Sequence, residues 1–303
     1  MELKNGNYVL KKAKSEKYAV GAFNFSNLEQ LKTILEAANN KGADVIVQTS
    51  PSAIRYMNID VIVPMVKALA KDLNIAVCLN LDHGKDFETI KKCIDCGYTN
   101  VMIDASDLSF EENVELTKKC TEYAHKFNVT VEAELGSLKG VEDDIEANKN
   151  LFTNPIEAKK FVELTNVDSL AVSIGTSHGA YKFEGKSFLD IERLKKISEN
   201  VDVPLVLHGA SSVSEELKSK FLKSGGKIGN ANGVDNQNLI DAIKNGICKV
   251  NVDTDLRIAF TTGIRNTLFE NTIFNPRDYL TAGMEEMKFE IEKRIDILNS
   301  NKK

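Results

Sequence analysis

The chain has 303 residues, 42% of them hydrophobic and 27% charged, a balance ordinary for a globular protein and ample for a large core. Its formal net charge of −5 and the lack of any Lys/Arg block argue against nucleic acid as a partner. No stretch approaches the roughly 18 unbroken apolar residues of a membrane span. Nor does the N-terminal segment carry the apolar core of a secretory signal, and the five cysteines are an odd number that suits a reducing compartment, so the expectation is a cytoplasmic protein without a membrane partner.

Short runs rich in apolar and β-branched residues recur at 18–25, 43–50, 75–82, 100–106, 129–136, 169–175, 204–211 and 247–254. Their nearly continuous apolar character is that of parallel strands covered on both faces. Amphipathic segments between them predict helices over 28–41, 60–71, 110–126, 155–165 and 214–223, with Asn27 and Ser214 as N-caps. Cys93 and Cys96 form a CxxC inside a helical stretch closed by Gly97; no second CxxC completes a zinc set, and the pair reads as two small residues on a helix. Eight strand–helix repeats predict a (β/α)₈ TIM barrel. A doubly wound open sheet is disfavoured because the first run continues as GAFNFSN rather than GxGxxG. The whole chain, 1–303, reads as one barrel domain with an extended C-terminal helical region, whose helices at about 276–300 are expected at a subunit interface. Two connections are long and polar, 136–150 and 223–234, and long connections tend to be functional lids or disordered links.

In such a barrel the C-terminal strand ends converge on one rim, where chemistry is done. Three of the four histidines sit just past strand ends: His83 in LNLDHG, His178 in SIGTSHG and His208 in PLVLHGAS. Three neutral imidazoles around one point make a zinc site with an open position for a substrate oxygen, suited to polarising a carbonyl. Asp82 is a candidate proton carrier beside it. Asn24, Ser50, Asp104, Glu132, Glu134, Asn251 and Asp253 lie on or just after other strands, whereas His125, inside a helix, is assigned no role. The turns His178-Gly179 and His208-Gly209-Ala210-Ser211, with Asn251 to Thr254 on the last strand, have the small residues and position of a barrel phosphate site.

The motifs NLDHG, VEAELG, VDSLAVSIGTSHGAYKF, PLVLHGASSV and KVNVDTDLRIAFTTGIR, spread from Tyr18 to the end, resemble the class II, metal-dependent ketose-bisphosphate aldolases, and among them those acting on fructose 1,6-bisphosphate. The resemblance implies reversible aldol cleavage to dihydroxyacetone phosphate and glyceraldehyde 3-phosphate by a homodimer or homotetramer. It implies catalytic zinc on His83, His178 and His208, and proton transfer by Asp82. Asp104 and Glu134 match an alternative metal position, and Glu142 a loop glutamate that carries the C3 proton. Gly179, Gly209, Ala210, Ser211, Asn251, Asp253 and Thr254 match the dihydroxyacetone-phosphate site, where relatives also hold a monovalent cation, Na+ or K+. A carboxylate at Asp253 can sense sugar stereochemistry, and with the GGKI loop at 225–228 it favours fructose over tagatose bisphosphate as substrate, the latter being the alternative. Arg257 could take the distal phosphate as a bidentate partner, helped by Arg277 of a neighbouring copy. Three rivals are a barrel zinc hydrolase, which lacks its usual early HxH here, a Schiff-base aldolase using Lys249, and a non-catalytic sugar-phosphate binder.

Overall fold

The computed structural model describes residues 2–136, 139–142, 145–147, 152–178, 188–228, 233–270 and 272–299, with backbone alone for 139–142, 145–147, 177–178 and 270. In chain order the strands are β1 (Val20–Asn24), β2 (Val45–Thr49), β3 (Val77–Gly84), β4 (Asn100–Ile103), β5 (Thr130–Leu135), β6 (Lys139–Glu142), β7 (Ile145–Ala147), β8 (Ser169–Val172), β9 (Ser177–His178), β10 (Leu205–Leu207) and β11 (Ile247–Val252). The helices are α1 (Gly6–Glu16), α2 (Leu28–Lys41), α3 (Pro51–Met57), α4 (Ile59–Ala70), α5 (Phe87–Cys96), α6 (Phe110–Ala124), α7 (Pro155–Thr165), α8 (Ile191–Asn200), α9 (Glu215–Lys223), α10 (Asn236–Lys244), α11 (Thr254–Glu270) and α12 (Pro276–Leu298).

Eight parallel strands, in the order β1-β2-β3-β4-β5-β8-β10-β11, close into the expected TIM barrel. The seam is β1 on β11, in register from Val20↔Lys249 to Phe23↔Val252. The apolar side chains that made the strand runs legible form the layer between barrel and helices: Val45, Val47, Leu79, Leu81, Val101, Ile103, Val131 and Ala133 are fully buried or nearly so. Helix starts follow local chemistry. Asn27 accepts from the Gln30 amide, and Gly42 in the left-handed region closes α2. Ser109 and Glu112 form a reciprocal capping box on α6. Gly97 ends α5, on which Cys93 is buried and Cys96 half-buried.

Three features add to the sequence expectation. Helix α1 closes the N-terminal end of the barrel, where Gly6 donates to Thr130 Oγ1 at 2.8 Å; its sequence, GNYVLKKAKSE, has few apolar residues to announce it. In the long connection after β5, β6 and β7 pair antiparallel, and β6 runs parallel to β9 with Gly140 opposite His178. Finally, much of the C-terminal tail serves its own barrel. Helix α12 packs on α2 and α11, burying Met287, Ile291, Ile295 and Leu298, and the Leu298 carbonyl accepts from Ala19 N at 3.1 Å. No described helix is long and apolar enough to cross a membrane.

Candidate active site

Consecutive residues in a strand point to opposite faces, yet Asp82 and His83 present their polar atoms to one place. The cause is a break in β3. Its register against β4 shifts between Leu81 and Gly84, and His83 has φ of 51°, a left-handed conformation that is strained for a histidine and typical of functional sites. Gly84 permits the bend, because a Cβ there would lie 2.9 Å from the Met102 carbonyl oxygen and 2.8 Å from Leu81 Cδ2.

His208 follows β10 directly and meets His83 across the barrel mouth. Their rings are T-shaped, with centroids 4.6 Å apart, and His208 Nδ1 is 2.9 Å from His83 Nε2. The remaining nitrogen of each ring faces a carboxylate: His83 Nδ1 is 2.9 Å from Asp104 Oδ2, and His208 Nε2 is 2.7 Å from Glu132 Oε1. Such carboxylates orient imidazoles and leave the opposite nitrogen lone pair for a cation. One ligand atom each from Asp82, His83 and His208 lies within 4.8 Å of the others, and the same holds for His83, Asp104 and Glu134.

The electrostatics also call for a cation. Burial disfavours charge on His83, but Asp82, Asp104 and Glu134 outweigh it and raise the imidazole to about 10. Burial, with a smaller push from His83, lowers His208 to about 4 despite Glu132. The pocket thus favours one positive charge at the shared point but not two imidazolium ions. Burial and the nearby Asp104 push Glu134 up to about 8, and its Oε2 is buried with no hydrogen-bond partner. Burial works against ionised Asp104 and Glu132, yet His83 and Lys85 hold Asp104 well below the usual range, and Lys249 and His208 hold Glu132 at about 2. Zinc–nitrogen bonds of about 2.0–2.1 Å in a tetrahedron put ligand atoms roughly 3.3 Å apart, a few tenths wider than the present pair. The residues therefore fit a divalent ion held by imidazole nitrogen.

Asp82 is held as an acceptor from both sides: Asn251 Nδ2 donates to Oδ1 at 2.9 Å and Asn24 Nδ2 to Oδ2 at 2.8 Å. Asn251 Nδ2 also lies 3.0 Å from His208 Nδ1, so one amide bridges the candidate proton carrier and a candidate ligand. Asp253 and Arg257 face each other bidentately, at 2.9 Å from Nε and 2.7 Å from NH2. Gly209 has φ of 61°, and the turn it opens, with buried Ala210 and Ser211, precedes two amides pinned by Asp255: Ser212 and Val213 each donate to it at 2.8 Å. Arg294 of α12 closes this clamp, 2.9 Å from Asp255 and 2.8 Å from Ser212 Oγ. Thr254 opens α11. Ser50 caps α3 and is 2.9 Å from Ser52 Oγ. Arg277 sits in the first turn of α12, against Asn275.

Other predicted residues fall partly outside the described set. Gly179 lies outside it, as do the side chains of His178 and Glu142, although their backbones sit in the sheet that joins β6 to β9. His125 pairs with Asp168 at 2.9 Å, as a structural residue would. Sequence reasoning missed Lys85, which reaches Asp104 at 2.9 Å. It also missed Gln48, Asn80 and Asn100, buried amides inside apolar strand runs; a polar amide interrupting such a run is the signal that could have found them. Lys249, the Schiff-base candidate, is fully buried and ion-paired to Glu132 at 2.7 Å.

The family described as "Fructose-bisphosphate aldolase class-II" matches residues 4–303. The chain is 45% identical over 305 residues to a fructose-bisphosphate aldolase of Helicobacter pylori, covering 99% of both. It is 46% identical over 301 residues to one of Thermus caldophilus, covering 98% of both. Among solved structures, a putative fructose-1,6-bisphosphate aldolase of Coccidioides immitis superposes with a TM-score of 0.84 at 27% identity, covering 98% of this chain and 97% of that one.

Proposed function

The chain belongs to the class II fructose-bisphosphate aldolase family, metal-dependent aldehyde-lyases, and from that premise we propose that it cleaves fructose 1,6-bisphosphate reversibly to dihydroxyacetone phosphate and glyceraldehyde 3-phosphate. The observation that carries the reading is the meeting of His83 Nε2 and His208 Nδ1 beside the anchored carboxylate of Asp82. Family membership implies a divalent metal; we assign zinc, held by His83, His208 and His178, with Asp104 and Glu134 able to hold it in a second position. When bound, zinc would polarise the ketose carbonyl and offset the negative charge developing on its oxygen.

The remaining steps belong to the protein's own groups. Asp82, its two oxygens aimed by Asn24 and Asn251, takes the proton from the C4 hydroxyl; the C3–C4 bond breaks and the aldehyde leaves. Glu142, on the strand carried beside His178, returns a proton to C3. Gly179, Gly209, Ala210, Ser211, Asn251, Asp253 and Thr254 line the dihydroxyacetone-phosphate half, with Asp253 on a sugar hydroxyl and the turn at Gly209 on the phosphate, beside which a monovalent cation (Na+ or K+) would sit. Asp253 and Arg257, already paired, meet the distal half of the sugar. Ser50 contributes at the rim, and Arg277 reaches the site of a second copy in a homodimer or homotetramer. The exposed Phe269 near the end of α11 and Phe274 just before α12 suit such an interface. The location proposed is the cytoplasm.

A coupled assay of the fructose and tagatose bisphosphates, with chelator and then with zinc restored, tests the reading. It predicts chelator-sensitive turnover restored by zinc and a preference for the fructose epimer. Chelator-insensitive turnover would refute the metal chemistry, and a preference for tagatose bisphosphate would move the chain to the alternative substrate.

A further inference from the structure

The barrel interior below Asp82 contains a single-file line of polar side chains, each from the strand next to the last. Asn24 of β1 donates to Asp82 at 2.8 Å. Gln48 of β2 donates to Asn24 Oδ1 at 2.7 Å. Asn80 of β3 donates to Gln48 Oε1 at 3.0 Å, and Asn100 of β4 donates to Asn80 Oδ1 at 2.7 Å. Thr130 of β5 donates to Asn100 Oδ1 at 2.5 Å, and Gly6 N, the first amide of α1, donates to Thr130 Oγ1 at 2.8 Å. Gln48, Asn80, Asn100 and Thr130 are at most 2% exposed. None of the atoms in the line is among the buried side-chain atoms left without a partner.

All these bonds run one way. A backbone N–H can only donate, so the foot of the line fixes Thr130 as acceptor, and its single hydroxyl proton goes to Asn100 Oδ1 at 2.5 Å rather than to the Thr99 carbonyl at 3.4 Å. Each amide that receives at oxygen then has N–H to give onward. At the other end an ionised carboxylate can only accept. Either amide orientation of Asn24 fits the space, but only one turns N–H toward Asp82. Packing alone cannot tell oxygen from nitrogen at Asn24; the carboxylate on one side and the donor at the end of the line on the other select the same orientation. Chains of aligned hydrogen bonds also polarise one another, and here they start at the positive end of a helix. The approach of α1 is specific. A Cβ on Gly6 would lie 2.6 Å from Asn100 Oδ1 and 2.8 Å from Thr130 Oγ1, so only glycine lets the helix amide reach the foot of the line.

We propose that Gly6, Thr130, Asn100, Asn80 and Gln48 are positioning residues for aldol cleavage: they transmit a donor orientation from α1 through the barrel to Asn24, and so aim Asp82. The proposal rests on the reading of Asp82 as proton carrier. Thr130→Val removes the hydroxyl while keeping the shape, and leaves the amides beyond it free to reverse. Steady-state kinetics of the zinc-loaded enzyme should show kcat lowered about 10-fold with KM within about twofold, because the residue lies on the far side of the barrel from the substrate. Thr130→Ser should restore kcat. Gly6→Ala should lower kcat by displacing α1 from the same foot, and it serves as the probe if Thr130→Val does not fold. Groups acting through one line are non-additive, so the double variant should be no slower than the slower single one. Losses that multiply in the double variant, or a Thr130→Ser as slow as Thr130→Val, would overturn the proposal. So would wild-type kcat in Thr130→Val or Gly6→Ala alongside an inactive Asp82→Asn. Full activity in Asp82→Asn would remove the proton carrier itself, and the line's purpose with it.

Discussion

Glu132→Gln separates two roles carried by one buried carboxylate. Glu132 accepts from His208 Nε2 through Oε1 and from Lys249 Nζ through Oε2, both at 2.7 Å, and both Glu132 and Lys249 are 0% exposed. Glutamine has one acceptor oxygen for these two donors and no charge for the lysine. Removing one partner of a buried ion pair typically costs about 3–5 kcal/mol, and disturbing the carboxylate behind a metal-bound histidine costs roughly 10–100-fold in metal affinity. Urea unfolding of the metal-free protein should therefore show a loss in that range, and chelator competition a zinc affinity lower by one to two orders of magnitude. Adding Lys249→Met removes the stranded charge, so the double variant should recover most of the stability while its zinc affinity stays low. Parental stability and affinity in Glu132→Gln would refute the reasoning, as would a double variant no more stable than the single one.

Asp82→Ala should retain metal and substrate binding but lower kcat by about 10² to 10⁴-fold, measured by zinc content and coupled assay; near-normal turnover would remove Asp82 from its role. Asp253→Ala should free Arg257 from its bidentate partner and bring the kcat/KM values for fructose and tagatose bisphosphates closer together; an unchanged ratio places stereochemical sensing elsewhere. Acid should weaken the metal-free fold through Glu132, whose folded pKa of about 2 lies below its ordinary 4.5. The stability this shift confers is fully present above about pH 4.5 and is lost as pH falls toward 2. Glu132→Gln/Lys249→Met should show a shallower decline over that window in urea midpoints taken across pH.

The barrel was legible because parallel strands covered on both faces are mostly apolar, and the connections between them have a recognisable polar periodicity. That His83 and His208 meet was legible because residues at the ends of barrel strands share one mouth. The finer geometry was not. That Asp82 and His83 face one way depends on the left-handed turn at His83, a conformation the residue type does not announce. The line from Thr130 to Asn24 was hidden because each amide sits alone in its own strand, in IVQTS, CLNLD or TNVMI, and only barrel closure places them in contact. Helix α1 was missed because its buried apolar face is only Val9, Leu10 and Ala13, and its polar contacts, Gly6 on Thr130 and Asn5 on Asn128, join residues distant in sequence. The C-terminal tail looked surplus because its buried stripe, Met287 to Leu298, matches a groove on its own barrel that only the folded chain contains.

The central claim is that the imidazoles of His83 in β3, His178 in β9 and His208 just past β10 hold one catalytic ion. Diffraction data from zinc-loaded crystals, collected on both sides of the zinc absorption edge, test it directly. The account predicts one strong anomalous peak about 2.0–2.1 Å from His83 Nε2, His208 Nδ1 and a ring nitrogen of His178, beside Asp82. A fully loaded, active enzyme whose anomalous peak lies away from His83 and His208 would contradict it.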